Sequence, residues 1–94
     1  MNESELIEQL ADREHDSWAR WMSYLFQKSE QHSDGSVTIP PELVTRWRRQ
    51  IDTPYGSLSE REKQSDRDEV AHILPTLYKY ISNLISVRLL LPLR

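Results

Sequence analysis

The sequence predicts an all-α fold, a compact bundle of three to four helices, and three observations carry that expectation. Apolar residues recur at three- and four-residue spacing from Ser4 to Lys28 with no Pro or Gly to interrupt them. Pro40-Pro41 opens a second stretch of the same period. Ser59 and Glu62 then stand three residues apart ahead of a third.

The first helix is expected from about Ser4 to Lys28. Ile7, Ala11, Trp18, Met22 and Leu25 form one stripe, with Leu6, Leu10, Trp21 and Phe26 beside it. Asn2 and Glu5 have the spacing of a capping pair. A polar loop from Ser29 to Ser36 follows, with Asp34-Gly35 as its turn signal, and 37–39 reads as a very short extended segment. The second helix is expected from Pro40 to about Ile51, with Leu43, Val44, Trp47 and Ile51 on its buried side. Asp52 to Ser57 reads as a compact connection.

The third helix is expected to start at Ser59, where Ser59 and Glu62 match a capping box. Leu58 is placed for a hydrophobic staple, but Lys63 occupies the matching position. Val70, Ile73, Leu74 and Leu77 fall on the apolar side, and Pro75 is expected to end or kink the helix. A last helix is expected over about 76–91. The whole chain, 1–94, reads as one domain without repeats.

Composition narrows the function. A chain of 94 residues buries only about 60–65% of its unfolded surface, so an added ligand or a second copy contributes usefully to stability. The formal charge of −3, with both signs interspersed, disfavours a nucleic-acid polymer as partner. With no cysteine there is no disulfide, thiol nucleophile or cysteine metal site, which fits a cytoplasmic setting. The acidic N-terminus does not read as a signal peptide, and the apolar C-terminal stretch is broken by Lys79 and Arg88, so no membrane span is expected. His15, His32 and His72 lack metal-ligand spacing, and Gly35 and Gly56 form no phosphate loop. No catalytic residue, metal or cofactor is expected, and the chain does not read as an enzyme.

Three groups of residues have a bland and a sharp reading. Glu14 and His15 interrupt the apolar stripe of the first helix, and Asp66 and Arg67 lie beside that of the third. A network of these four satisfies all of them, either as an internal brace or facing a ligand. Trp18, Trp21 and Trp47 are core aromatics or a stacking surface for a planar ring. Arg46, Arg48 and Arg49 are a solvated face or an anion contact, with Arg46 and Arg49 one helical turn apart.

Pro54-Tyr55, Leu58-Ser59-Glu60, Glu62-Lys63 and Asp66-Arg67, preceded by His15 and Trp18, resemble the pattern of the ryanodine-receptor-type (RyR) domain family. The resemblance spans about Ala11 to Leu77. It departs where the family has a Gly-Trp strand after its first helix and a Gly-Tyr strand after its last. The resemblance implies a stand-alone member from a bacterium or bacteriophage that binds a nucleotide-like signal. In a bacteriophage such a module would sequester a host signalling nucleotide and so evade host defence. The site residues expected on that reading are His15, Trp18, Trp21, Arg46, Arg49, Tyr55, Asp66 and Arg67. The alternative expectation is an interaction module, an oligomer or adaptor without a small ligand. In it Leu84, Ile85, Leu89 and Leu90 of the C-terminal helix dock on a partner or a second copy.

Overall fold

A computed structural model describes the backbone of residues 2–90 and the side chains of residues 2–86. Helix α1 (Glu3–Lys28) begins at the capping box that Asn2 and Glu5 predict. The Glu5 amide donates to Asn2 Oδ1 at 2.8 Å, and the Asn2 amide donates to Glu5 Oε2 at 3.3 Å. Glu3 and Glu5 in the first turn and Lys28 in the last complement the helix dipole. The far end closes without a glycine. Ser29, the one buried polar residue among those described, donates its hydroxyl to the Leu25 carbonyl at 2.7 Å. The Gln31 side-chain amide donates to the Phe26 carbonyl at 2.7 Å. Side chains thus satisfy carbonyls that the helix end leaves without amide partners.

The expected polar loop contains a strand. β1 (Glu30–Gln31) pairs antiparallel with β2 (Val37–Thr38), Glu30 opposite Thr38 and Gln31 opposite Val37. The turn between them needs Gly35, whose φ of 90° lies where a side chain is strained. Asp34 fixes the same turn by accepting from the Ser36 amide and hydroxyl at 2.9 and 2.6 Å, and these bonds lower its carboxyl pKa. Two-residue strands of polar composition give no alternation to read, which is why only 37–39 stood out.

Helix α2 (Pro41–Ile51) opens as expected, with the Leu43 and Val44 amides donating to the Pro40 carbonyl. One 3-10 turn, Tyr55–Ser57, leads to α3 (Glu60–Leu90). Both halves of the Ser59 capping box form: the Glu62 amide donates to Ser59 Oγ at 3.2 Å, and the Ser59 amide to Glu62 Oε1 at 3.1 Å. Lys63, in the staple position, lays its ammonium 5.9 Å from the centre of the Tyr55 ring instead.

Two expectations are corrected. The third and fourth helices are one, because α3 continues through Pro75. Proline removes one amide and crowds the carbonyl four residues back, here that of Ala71. Ala71 and Pro75 are both exposed, so water can serve that carbonyl and the helix need not stop. The bundle is also not compact. The radius of gyration is 19.6 Å, against about 12 Å for a globular chain of this length. The extents are 68 × 34 × 16 Å, a slab little more than one helix thick. α1 packs along α3, and no apolar residue among those described is fully buried. Tyr78, Ile81, Leu84 and Ile85 are all exposed, as are Trp18 and Trp21 on α1. The side chains of Leu89 and Leu90 lie outside the described residues.

Candidate functional site

The three helices are joined by polar ties around one cleft. α1 meets α3 at Glu69, whose Oε2 accepts from Ser17 Oγ at 2.7 Å and from Arg20 Nη2 at 2.6 Å. Those two donors, Ser17 first, hold the Glu69 carboxyl below its ordinary pKa. α2 meets α3 at Glu62, which accepts from Arg49 Nη2 at 2.6 Å and from the Gln50 side-chain amide. With Ser59 added, Glu62 is pulled down to about 2, Arg49 being the largest cause. α2 meets α1 where Arg46 Nη2 donates to the Tyr24 hydroxyl at 3.3 Å and where the Tyr24 and Trp47 rings lie 6.5 Å apart.

Between these ties lies an open cleft of about 1110 Å³. Its walls come from the C-terminal half of α1, from α2, and from the first three turns of α3. Trp21 stands edge-on to Tyr24 at 6.2 Å, so Trp21, Tyr24 and Trp47 make a continuous run of rings along it. Lys28 adds a cation 5.7 Å from the centre of the Tyr24 ring. Arg20, Arg46, Arg49 and Arg61 line the cleft, and so do Glu62, Asp66, Asp68 and Glu69. The formal charges therefore balance. Arg20 and Arg49 are spent on Glu69 and Glu62, whereas the partner of Arg46 is a neutral hydroxyl.

The eight expected site residues fall in three places. Trp21, Arg46, Arg49 and Asp66 line the cleft. Tyr55 and Arg67, with Asp66 again, line a smaller hollow of about 440 Å³ beside Val70, Ala71 and Leu74. His15 and Trp18 form a ring pair 5.8 Å apart on exposed surface of α1.

The four-residue brace does not form. No hydrogen bond or ion pair joins Glu14 or His15 to Asp66 or Arg67, and all four are exposed. Arg67 instead reaches Glu60 at 3.2 Å and Gln64 at 3.4 Å on its own helix, and Glu60, then Tyr55, raises its pKa. The cause is the direction of the helices. α1 and α3 run antiparallel: Ser17 meets Glu69, and the last turns of α1 flank the first turns of α3. Glu14 and His15 therefore sit level with α3 beyond Glu69, away from Asp66 and Arg67. The real brace is Ser17–Glu69–Arg20.

Sequence reasoning missed Arg20, Tyr24 and Glu69, weighed Trp47 between core and stacking surface without placing it in the site, and treated Glu62 only as a cap. Ser17 and Arg20 share a helix face at i,i+3 spacing, which was the available signal. Among the described residues no cluster of His, Asp or Glu could hold a metal ion, and no helix is long and apolar enough to cross a membrane. Comparison with protein families, with curated proteins and with solved structures finds no match.

Proposed function

We propose that the chain is a non-enzymatic binding module whose three-helix cleft takes a planar anionic small molecule, nucleotide-like in combining a ring with negative charge. The observation that carries this reading is the run of Trp21, Tyr24 and Trp47 beside Arg46, whose guanidinium among the described residues is held by the neutral Tyr24 hydroxyl. An aromatic platform contributes about 1–3 kcal/mol per stacked base and tolerates different bases. A guanidinium forks onto phosphate oxygens. The balanced walls set a limit: a singly or doubly charged ligand fits, while a polyanion would meet four carboxylates. The resemblance of Pro54 to Arg67 to RyR domains supports the same ligand class. Such a module acts by holding its ligand, which suits sequestration of a signalling nucleotide in the cytoplasm of a bacterium or of an infected host cell.

Titration calorimetry against mononucleotides, cyclic nucleotides and ADP-ribose tests the reading. Binding of at least one compound is expected, weakened roughly tenfold or more by Arg46→Ala, the equivalent of about 1.4 kcal/mol. No heat from any of them at millimolar concentration overturns it.

A second reading is favoured by a different observation, the lack of any fully buried apolar residue among those described. On it the chain is an interaction module, and its half-exposed apolar residues are completed by a protein partner. The two readings are compatible, because the cleft and the exposed apolar residues of the C-terminal half of α3 are different surfaces.

A further inference from the structure

Four carboxylates line the cleft, and three of them are engaged. Glu62 accepts from Arg49, Glu69 from Ser17 and Arg20, and Asp68 from the Gln64 side-chain amide at 2.9 Å. Asp66 is the fourth, and it has no hydrogen-bond or ion-pair partner among the described residues. Arg61, which also lines the cleft, is likewise unpartnered among them. An ionised carboxylate only accepts hydrogen bonds, and its two oxygens can take two donors side by side. Asp66 therefore offers the cleft an acceptor that the fold itself does not use.

Helix geometry sets that acceptor beside a stacking ring. α1 and α3 run antiparallel through the Ser17–Glu69 contact. Trp21, four residues on from Ser17, lies about 6 Å further along α1, and Asp66, three residues back from Glu69, lies about 4.5 Å along α3 in the same direction. The two are thus nearly level. Trp21 is turned about 40° around its helix from Ser17, and Asp66 about 60° around its own from Glu69, in the same sense. In an antiparallel pair, turns of the same sense point to the same side of the layer. Trp21 is 46% exposed, which leaves ring area for a stacked partner. Tyr24, nearly one turn further along α1, holds Arg46 through its hydroxyl. Stacking ring, acceptor and guanidinium therefore follow one another along one cleft.

This order selects among planar anions. A base stacked on Trp21 would present its Watson–Crick edge to Asp66, and proteins read single bases by that edge. Guanine is the common base with two neighbouring donors there, N1–H and the N2 amino group, which match the two carboxylate oxygens. Adenine places the N1 lone pair in the same position and repels a carboxylate. The phosphate would then fall to Arg46 and Arg61.

We propose that the cleft prefers guanine nucleotides with a single phosphate, and that Asp66 is the residue that sets the preference. This rests on the cleft reading and deepens it. Titration calorimetry of the full chain with GMP, IMP and AMP tests it, with circular dichroism of each variant. GMP should bind tightest. IMP, which lacks only the 2-amino group, should be at least about fivefold weaker, and AMP at least about 30-fold weaker. Asp66→Ala should bring GMP and AMP within about threefold of each other while AMP binding is kept. The comparison of GMP with IMP needs no variant, so it decides the matter even if Asp66→Ala fails to fold. Equal binding of the three, or a preference for AMP, overturns the role of Asp66 and leaves the cleft reading standing. A preference for GMP that survives Asp66→Ala overturns the assignment to this residue. No heat from GMP where another nucleotide or ADP-ribose binds overturns the guanine preference alone, and no heat from any of them overturns both.

Discussion

Replacing Pro75 by alanine measures what the proline costs inside α3. In a helix interior proline is about 3 kcal/mol less favourable than alanine. About 1 kcal/mol of that is the missing hydrogen bond to the carbonyl four residues back, and the rest is the clash of the ring with that carbonyl. Here that carbonyl belongs to Ala71, and both residues are exposed. Water recovers part of the hydrogen-bond loss but none of the steric loss. Pro75→Ala is therefore expected to stabilise the fold by about 2 kcal/mol or more. At 4–8 °C per kcal/mol for a domain of this size, Tm should rise by at least about 8 °C. Urea and thermal unfolding followed by circular dichroism, at one fixed chain concentration, read both quantities. A gain under about 0.5 kcal/mol would refute the reasoning, because it would place a helix boundary at Thr76 where proline does no harm.

Two further outcomes follow from the polar ties. Ser17→Ala and Glu69→Gln should each destabilise, and a double-mutant cycle should give a coupling of about 0.5–1.5 kcal/mol; strict additivity would remove the brace. Glu62, with a carboxyl pKa lowered to about 2 from an ordinary 4.5, stabilises the fold fully above pH 4.5. That contribution is lost as pH falls from about 4.5 to 2, so Glu62→Gln should flatten the acid limb of the stability profile, and an unchanged limb would contradict the Arg49 and Gln50 contacts.

Local structure was readable wherever a short-range signal sets it. Asn2 with Glu5 and Ser59 with Glu62 mark the starts of α1 and α3 because capping depends on residues three apart. Pro40-Pro41 marks α2 for a similar reason. What could not be read depends on relative placement. Glu69 looks like any helical carboxylate until α1 is laid antiparallel against it, and the same placement separates His15 from Arg67. Half of the expected site, Trp21, Arg46, Arg49 and Asp66, does converge, since Trp21 and Asp66 lie in the halves of α1 and α3 that face α2, which carries Arg46 and Arg49. Pro75 lies inside α3, so the helix boundary that the proline suggested is absent.

The thinness of the slab also bears on how fast the molecule forms. Most of its backbone bonds close within single helices, which takes microseconds or less, and the antiparallel α1–α3 pairing is the main long-range event within one chain. No interior has to be searched for and sealed. If the exposed apolar residues of α3, Tyr78, Ile81, Leu84 and Ile85, are covered by another molecule, the slow step is an encounter between chains. Refolding half-times should then shorten as concentration rises, and a newly made chain would stay exposed to proteases until it met its partner.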